Sequence, residues 1–406
     1  MGVVEHKPYV VSWNLTKGCN LTCPHCYMDA GTATKDDLTT AEVFSVIDSI
    51  GEVNSRAMLI LTGGEPMLRK DIEQIVEYAD KKGMITVMGS NGSLFNKDNL
   101  KRLKECGLKG LGISIDSVNA DAHDAFRGMS GLWDKAVENL RYAKGLAFET
   151  QMDVTITDMN VDEIEEFVAL GVELGVRAVN FFFLVCVGRA MKSDISVDNY
   201  DRALNKIAEL YMSEDRLMVR ARCAPHYYRI LHEKKAHIPS GSRGCLAWRS
   251  YFRIDPKGNV TPCPYMEYSV GNVRQMSVKE LWGIASDVAM LRTDSYKGRC
   301  GECEYTQICG GCRARSLVEK NDLMDEDSLC SYMPMGNARV VLDEDFERQL
   351  QWEEKAKARI NRVPAFMRSI VVRAAESKAK RLGISVITES FIDEMKMNEG
   401  APAHKR

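Results

Sequence analysis

Val10-Val-Ser-Trp13-Asn-Leu-Thr-Lys-Gly-Cys19-Asn-Leu-Thr-Cys23-Pro-His-Cys26-Tyr27 decides how this chain is read. A short β-type run, Val10–Trp13, empties into a loop with three cysteines spaced C-x3-C-x2-C. Three thiolates this close suit three irons of a 4Fe–4S cluster and leave the fourth iron open for a chelating ligand. With His25 as a fourth ligand the same spacing also suits tetrahedral zinc. A loop without metal is the third alternative.

Outward from that loop, apolar runs alternate with amphipathic stretches as far as about Glu214. The runs are Val10–Trp13, Met58–Leu61, Met84–Met88, Leu111–Ile115, Met152–Ile156 and Ala178–Val185. Helical stretches begin near Thr40, Asp71, Lys97, Leu132 and Val161, with another after Val197. Thr39-x-x-Glu42 has the form of a capping box for the first. This alternation predicts an α/β fold: a partial (β/α)6 barrel or a wound parallel sheet, with ligand sites in the loops after the strand C-termini.

The chain has 406 residues, with 54 Lys and Arg against 57 Asp and Glu, so a globally basic nucleic-acid binder is excluded. Its 45% hydrophobic content excludes a largely disordered chain. No apolar run approaches the ~18 residues of a membrane span, and Met1–Val11 lacks a signal-peptide pattern. These features predict a soluble, cytoplasmic protein. In such a reducing compartment, 13 cysteines are metal ligands or buried small hydrophobes rather than a disulfide framework. Cys106 and Cys186, in apolar surroundings, read as core.

Further motifs converge on one family. The second run ends in Thr62-Gly63-Gly64-Glu65-Pro66, the fourth in Ser114-Ile115-Asp116-Ser117, and His123-Asp124-x-x-Arg127-Gly128 follows. With the aromatic Tyr27 after Cys26, residues 9–215 resemble the core of radical S-adenosylmethionine (SAM) enzymes. The resemblance implies that Cys19, Cys23 and Cys26 hold a 4Fe–4S cluster whose open iron is chelated by SAM. It implies a cofactor-binding set of Tyr27, Gly63, Gly64, Glu65, Asn91, Ser114, Asp116 and Arg127. Gly63 and Gly64 would admit the methionine moiety, Glu65 would face its amine, Ser114 and Asp116 the ribose, and Arg127 the carboxylate. No catalytic residue beyond cluster and SAM is identified.

A second cysteine set reads Cys245-x12-Gly258-x4-Cys263, Cys300-x2-Cys303-x5-Cys309-x2-Cys312, then Cys330. Residues 245–335 are similar to the SPASM extension of radical SAM enzymes, which carries auxiliary 4Fe–4S clusters; the Cys309–Cys312 gap has two residues where three are usual. Zinc is the alternative for the two CxxC pairs. The resemblance implies one cluster on Cys300, Cys303, Cys309 and Cys330, and a second on Cys245, Cys263 and Cys312 with its fourth position vacant, filled by a non-cysteine, or filled by Cys223.

Between the two regions, residues 216–244 read as a basic connecting segment, with Glu233 the only acid against seven Lys and Arg. Arg222, Arg229 and His226 there are candidate contacts for a polycarboxylate macrocycle and its iron; a solvated basic face is the plainer alternative. Trp13-Asn-Leu-Thr16, Pro262-Cys-Pro-Tyr265 and Cys309-Gly-Gly-Cys-Arg-Ala-Arg315 look like the radical SAM proteins of haem and specialised-haem biosynthesis. Residues 340–400 read as a small helical domain. Trp352-Glu-Glu-Lys-Ala356, Val363-Pro-Ala-Phe-Met-Arg368, Glu376 and Ile387-Thr-Glu389 resemble the C-terminal domain of the protochlorophyllide reductase B subunit, and Phe366, Ile370 and Ala374 recur at helical spacing. The function implied is radical modification of tetrapyrrole side chains, by propionate decarboxylation or related C–H abstraction, with an external flavodoxin or ferredoxin as electron donor. A SPASM-type peptide maturase and a non-catalytic iron–sulfur scaffold are the alternatives.

Overall fold

The computed structural model describes residues 6–398 apart from 193–194, 240–241, 285–286, 343–349, 361–362 and 364. Met1–Glu5 and Pro364 therefore lie outside the described residues, as do the side chains of Phe366 and Ile370. Strands β1 (Val10–Asn14), β2 (Met58–Thr62), β3 (Ile85–Ser90), β4 (Gly110–Ser114), β5 (Glu149–Ile156), β6 (Ala178–Phe183) and β7 (Met218–Arg222) are parallel neighbours in chain order. The connections carry α1 (Thr40–Val53), α2 (Ile72–Lys81), α3 (Lys97–Glu105), α4 (Ala120–Arg127), α5 (Leu132–Gly145), α6 (Ile164–Leu174) and α7 (Val197–Ser213). The Thr39 capping box forms: Glu42 Oε2 accepts from the Thr39 amide at 2.8 Å, and Thr39 Oγ1 accepts from that of Glu42 at 3.3 Å.

The register divides the sheet into two unlike faces, because alternate residues point to opposite sides. Val11, Trp13, Leu59, Leu61, Leu111, Ile113, Met152, Val154, Val179, Phe181 and Val219 are buried, in one core with the helices. Phe167 of α6 meets Phe181 edge-on, and Tyr200 of α7 meets Phe183. The opposite, inner face carries Ser12, Asn14, Thr62, Gly89, Gly112, Ser114, Asp153, Asn180, Arg220 and Arg222 in register. A face so polar, backed by a dry apolar one, is a wall for ligands rather than for packing.

The seventh strand lies in the segment read from sequence as a connector. Met218-Val-Arg-Ala-Arg222 alternates as a strand should, but its inner-face positions are arginines, so the pattern reads as charge rather than as β. The same segment forms α8 (His226–Glu233). β8 (Tyr251–Ile254) then returns to the other edge of β1 and pairs with it in parallel, Val10 opposite Tyr251. β9 (Asn259–Thr261) and β10 (Gly271–Asn272) extend that edge antiparallel. The short helices α9 (Val278–Gly283), α10 (Gly298–Glu302) and α11 (Arg313–Lys320) hold the rest of the cysteine-rich region.

The tail has its own small core. β11 (Gln351–Trp352) and β12 (Val386–Ile387) pair in parallel, with α12 (Glu354–Ile360), α13 (Ala365–Arg381) and α14 (Glu389–Asn398) around Trp352, Ala356, Ile360, Val372, Ala375 and Ile387. Trp352 Nε1 donates to the buried Glu376 carboxylate at 2.8 Å. Thr388 caps α14 through Oγ1, accepting from the Phe391 amide at 3.1 Å. Removing the indole from so small a core removes ~3–5 kcal/mol, comparable to all the stability it can hold. Trp352→Ala is therefore expected to abolish hydrogen-exchange protection in α12 and α14 while the sheet core keeps its protection.

Candidate cluster and cofactor site

The cysteine loop is held at the C-terminal end of the strands by backbone contacts that leave no room for side chains. The Gly64 amide donates to Thr16 O at 2.8 Å and the Glu65 amide to Gly18 O at 2.7 Å. A Cβ on Gly63, at φ +148°, would stand 2.6 Å from Thr16 O, and one on Gly64 would stand 2.1 Å from Gly18 O. The side of each glycine on which a Cβ would stand is thus filled by the chain's own loop. Glu65 is fully buried, and its carboxylate accepts from Ser90 Oγ at 2.9 Å, the Asn91 amide at 3.0 Å and the Met67 amide at 3.1 Å. Burial still pushes its pKa up against those donors. Glu65 therefore fastens the Gly-Gly loop to the end of β3.

Cys19, Cys23 and Cys26 interact electrostatically with one another, and burial pushes the Cys19 and Cys23 thiols up. Asn91 Nδ2 lies 4.0 Å from Cys19 Sγ and donates to Asn20 Oδ1 at 3.1 Å. Arg189, in the loop after β6, braces the same turn: its Nε donates to Cys23 O at 3.0 Å, and its Nη1 to Ala30 O at 2.7 Å and Asp29 at 2.8 Å. Tyr27 accepts from Asn14 Nδ2 at 2.8 Å. His25 faces elsewhere, stacked on Phe126 with centroids 4.7 Å apart and 3.7 Å from Asp116. Burial pushes it down to about 4, so it is neutral. Among the described residues no three His, Cys, Asp or Glu side chains converge as a single metal ion requires. Three thiols with no histidine among them fit an iron–sulfur cluster with one open iron better than tetrahedral zinc.

Asp116 joins the surrounding elements. Arg127 donates to its Oδ2 through Nε at 2.8 Å and Nη2 at 2.6 Å, and the Thr155 amide donates to Oδ1 at 2.9 Å. His123 Nδ1 accepts from the Asp116 amide at 3.1 Å. The His-Asp-x-x-Arg-Gly motif is explained: residues 123 and 127 share one face of α4, which Gly128 ends in the left-handed conformation. Burial alone would raise Asp116, but the Arg127 guanidinium beside it keeps the carboxyl below the usual range. In this structure Asp116 and Arg127 bind each other, and a SAM ligand would meet them as a preformed pair. Ser114 lies on the inner face at the end of β4.

The second cysteine set falls into two groups. Cys300 interacts electrostatically with Cys303, Cys309 and Cys330. These four line a cavity shared with His226, Arg229 and Tyr305. Cys245, Cys263 and Cys312 interact among themselves. Between the groups sits Asp327, fully buried. It takes Arg315 Nη1 at 2.8 Å on each oxygen and the Cys312 amide at 2.6 Å. Burial would raise Asp327, but Arg315 and then His226 bring it to about 2. The structure does not gather the three candidate substrate contacts. Arg222 is on the inner face of β7, whereas His226 and Arg229 face the second cysteine cavity. His226 bonds Tyr200 Oη through Nδ1 at 2.8 Å, and Arg229 is paired with Glu233 at 3.0 Å. Sequence reasoning missed Arg189, Arg220 and Arg253. Arg189 follows the sixth strand, whose C-terminal loop was expected to carry the site, whereas Arg220 and Arg253 lie on β7 and β8, which the hydrophobic pattern did not reveal.

Arg127→Ala strands a buried carboxylate and is expected to cost about 3–5 kcal/mol in denaturant unfolding, with Asp116→Asn in the same chain recovering much of it. Burial holds His123 at about 4 against an ordinary 6.5. The unfolded chain binds a proton between those values that the folded chain refuses, so stability falls as pH drops from 6.5 to 4. His123→Asn keeps an acceptor for the Asp116 amide and is expected to make that fall shallower by up to one proton, read from unfolding free energies across the window.

Comparison with known proteins agrees with this geometry. Residues 13–171 match the radical SAM superfamily and residues 245–313 the SPASM iron–sulfur cluster-binding domain. An AdoMet-dependent heme synthase of Methanosarcina barkeri is 34% identical over 82% of this chain and 99% of its own length. A pre-heme d1 synthase of Dinoroseobacter shibae is 32% identical over 84% and 89%. Among solved structures, Streptococcus suis SuiB bound to S-adenosylmethionine superposes with TM-score 0.66 over 80% of this chain and 78% of that one, at 16% identity, a likeness of fold. The chain belongs to the radical SAM superfamily and is a radical SAM enzyme with a SPASM domain, whose cofactors are S-adenosylmethionine, a 4Fe–4S cluster and auxiliary iron–sulfur clusters.

Proposed function

We propose that this enzyme modifies the carboxylated side chains of a tetrapyrrole, by propionate decarboxylation or a related C–H abstraction. The observation that carries the reading is a set of three arginines on the inner face whose side-chain hydrogen bonds, among the described residues, go to neutral groups. Arg220 contacts Met218 Sδ at 2.7 Å, Arg222 contacts Asn180 Oδ1 at 3.3 Å, and Arg253 donates to Asn14 Oδ1. Among the described residues none of them has a carboxylate within ion-pair distance. Burial, then Arg222 and Arg177, bring Arg220 down to about 9, a sign of uncompensated positive charge. The inner-face acid beside them, Asp153, is pushed up by burial and bonded to Asn180 at 2.8 Å. Arg220 and Arg253 are half-buried and Arg222 is exposed. Cations standing on a polar wall in this way are open to anions, and a molecule with several carboxylates supplies them. Phe182, opposite Arg222 in register, adds an aromatic surface for a macrocycle.

When bound, cluster and SAM supply a radical that takes hydrogen from an unactivated carbon. This chain's residues seat the cysteine loop through Gly63, Gly64 and Arg189, and would hold the substrate carboxylates on Arg220, Arg222 and Arg253. The two relatives named for haem and pre-haem synthesis support the substrate class. The reducing electron would come from an external flavodoxin or ferredoxin. No described helix is long and apolar enough to cross a membrane, and a thiol-rich chain suits the cytoplasm.

The test is anaerobic turnover of the reconstituted, reduced protein with SAM and either porphyrin carboxylates, iron-loaded and metal-free, or a peptide pool. Substrate mass and 5′-deoxyadenosine are followed together. Porphyrin-dependent 5′-deoxyadenosine with loss of a carboxyl group is expected; SAM cleavage that no porphyrin accelerates would overturn the reading. Arg222→Ala is expected to weaken porphyrin binding about tenfold or more without changing SAM affinity, as loss of one charge-assisted bond implies.

A further inference from the structure

Seven cysteines of the SPASM region leave one of two four-iron cages a thiolate short. We infer that Cys223, at the end of the seventh core strand, is the fourth ligand of the cage formed by Cys245, Cys263 and Cys312, closing it with thiolates on every side. The assignment needs only the iron–sulfur character of the region and is independent of the tetrapyrrole reading.

The chain path brings these residues together. Cys223 directly follows β7 and takes φ +58°, a conformation that side chains other than glycine and asparagine rarely adopt. Such a position persists where its surroundings over-determine it, and those places cluster at functional sites. Two residues on, Pro225 packs so closely against Gly244 that a Cβ there would lie 2.6 Å from the proline ring, while Cys309 O would lie 2.0 Å from it. The residue preceding Cys245 is thereby pressed between the turn after Cys223 and the loop that leads to Cys312. Arg315, one turn along the helix that Cys312 opens, reaches Cys223 O at 3.4 Å. The Cys223 thiol meets Tyr265, two residues beyond Cys263.

The electrostatics agree. Cys223 interacts with Cys312 and Cys245, Cys263 with Cys223, Cys245 and Cys312, and Cys312 with Cys245, so each of the four thiols feels the other three electrostatically. The remaining thiols of the region, Cys300, Cys303, Cys309 and Cys330, form the separate group already described. Two cages of four result, one of them spanning the core barrel and the SPASM region. Both lack the open iron left by the three-cysteine site, so neither auxiliary cluster presents a vacant coordination position to substrate.

The test isolates the auxiliary clusters by placing Cys19→Ala, Cys23→Ala and Cys26→Ala in the full chain, reconstituted anaerobically. This parent is expected to bind about eight irons, and its EPR and Mössbauer spectra are expected not to change on addition of imidazole. Adding Cys223→Ala is expected to release iron, to produce a three-iron signal, or to yield a four-iron spectrum that now shifts with imidazole. Cys106→Ala, a half-buried thiol outside both groups, is expected to change none of these. Cys223→Ser serves as the second variant should the alanine chain fail to fold, with altered EPR expected from its hydroxyl. Unchanged iron and spectra in the folded Cys223 variants, or an imidazole shift in the parent's own auxiliary spectra, would overturn the assignment. None of these readouts requires turnover or a porphyrin.

Discussion

The buried Asp116–Arg127 pair is the interaction around which the cofactor end of the barrel is arranged. Its carboxylate accepts from α4 and from the β5 amide at Thr155, its amide is taken by His123, and its carbonyl accepts from Asn160 at 2.8 Å. A charge removed from water at this depth is tolerated only with its partners complete. The pair therefore fixes where α4 starts, how the loop after β4 turns, and where His25 is stopped. The cysteine loop inherits that rigidity through Cys23, whose thiol lies 4.0 Å from the Arg127 carbonyl oxygen.

A second constraint is steric. The loop carrying the thiols and the Gly-Gly-Glu-Pro turn cross with backbone against backbone, and Glu65 lashes that crossing to the next strand. The crossing is made by backbone amides and carbonyls rather than by long side chains, which keeps the number of movable parts low. The inner face further along the sheet is built on the opposite plan. Long cations stand there hydrogen-bonded to neutral side chains, an arrangement open to an anionic guest.

Much of this was legible in the residues. Hydrophobic alternation gave six of the parallel strands, and the loop motifs after β1, β2 and β4 fell at strand ends because that is where parallel sheets place them. What escaped had a physical reason in each case. β7 carries arginines on its ligand-facing side, so its period of two was hidden by charge. The pairing of Asp116 with Arg127 could not be read from two motifs eleven residues apart, each of which suggested its own ligand. That the cysteine loop presses on Gly63 and Gly64 was not legible in the turn motif, because that loop is about 45 residues away in sequence. Arg222, His226 and Arg229 looked like one basic patch, yet the turn at Cys223 sends the first to the sheet and the other two to the cysteine cavity.

The pairing of β8 with β1 has a consequence for how the chain is made. Val10 waits for Tyr251 before its outer edge is covered. At about 5–20 residues per second, the first strand leaves the ribosome tens of seconds ahead of its neighbour. For that interval an apolar strand offers unpaired amides and carbonyls to any other nascent chain. The cysteine-rich region is thus also the late-arriving cover of an early edge, and a truncation before residue 251 would shed that cover along with the metal cages.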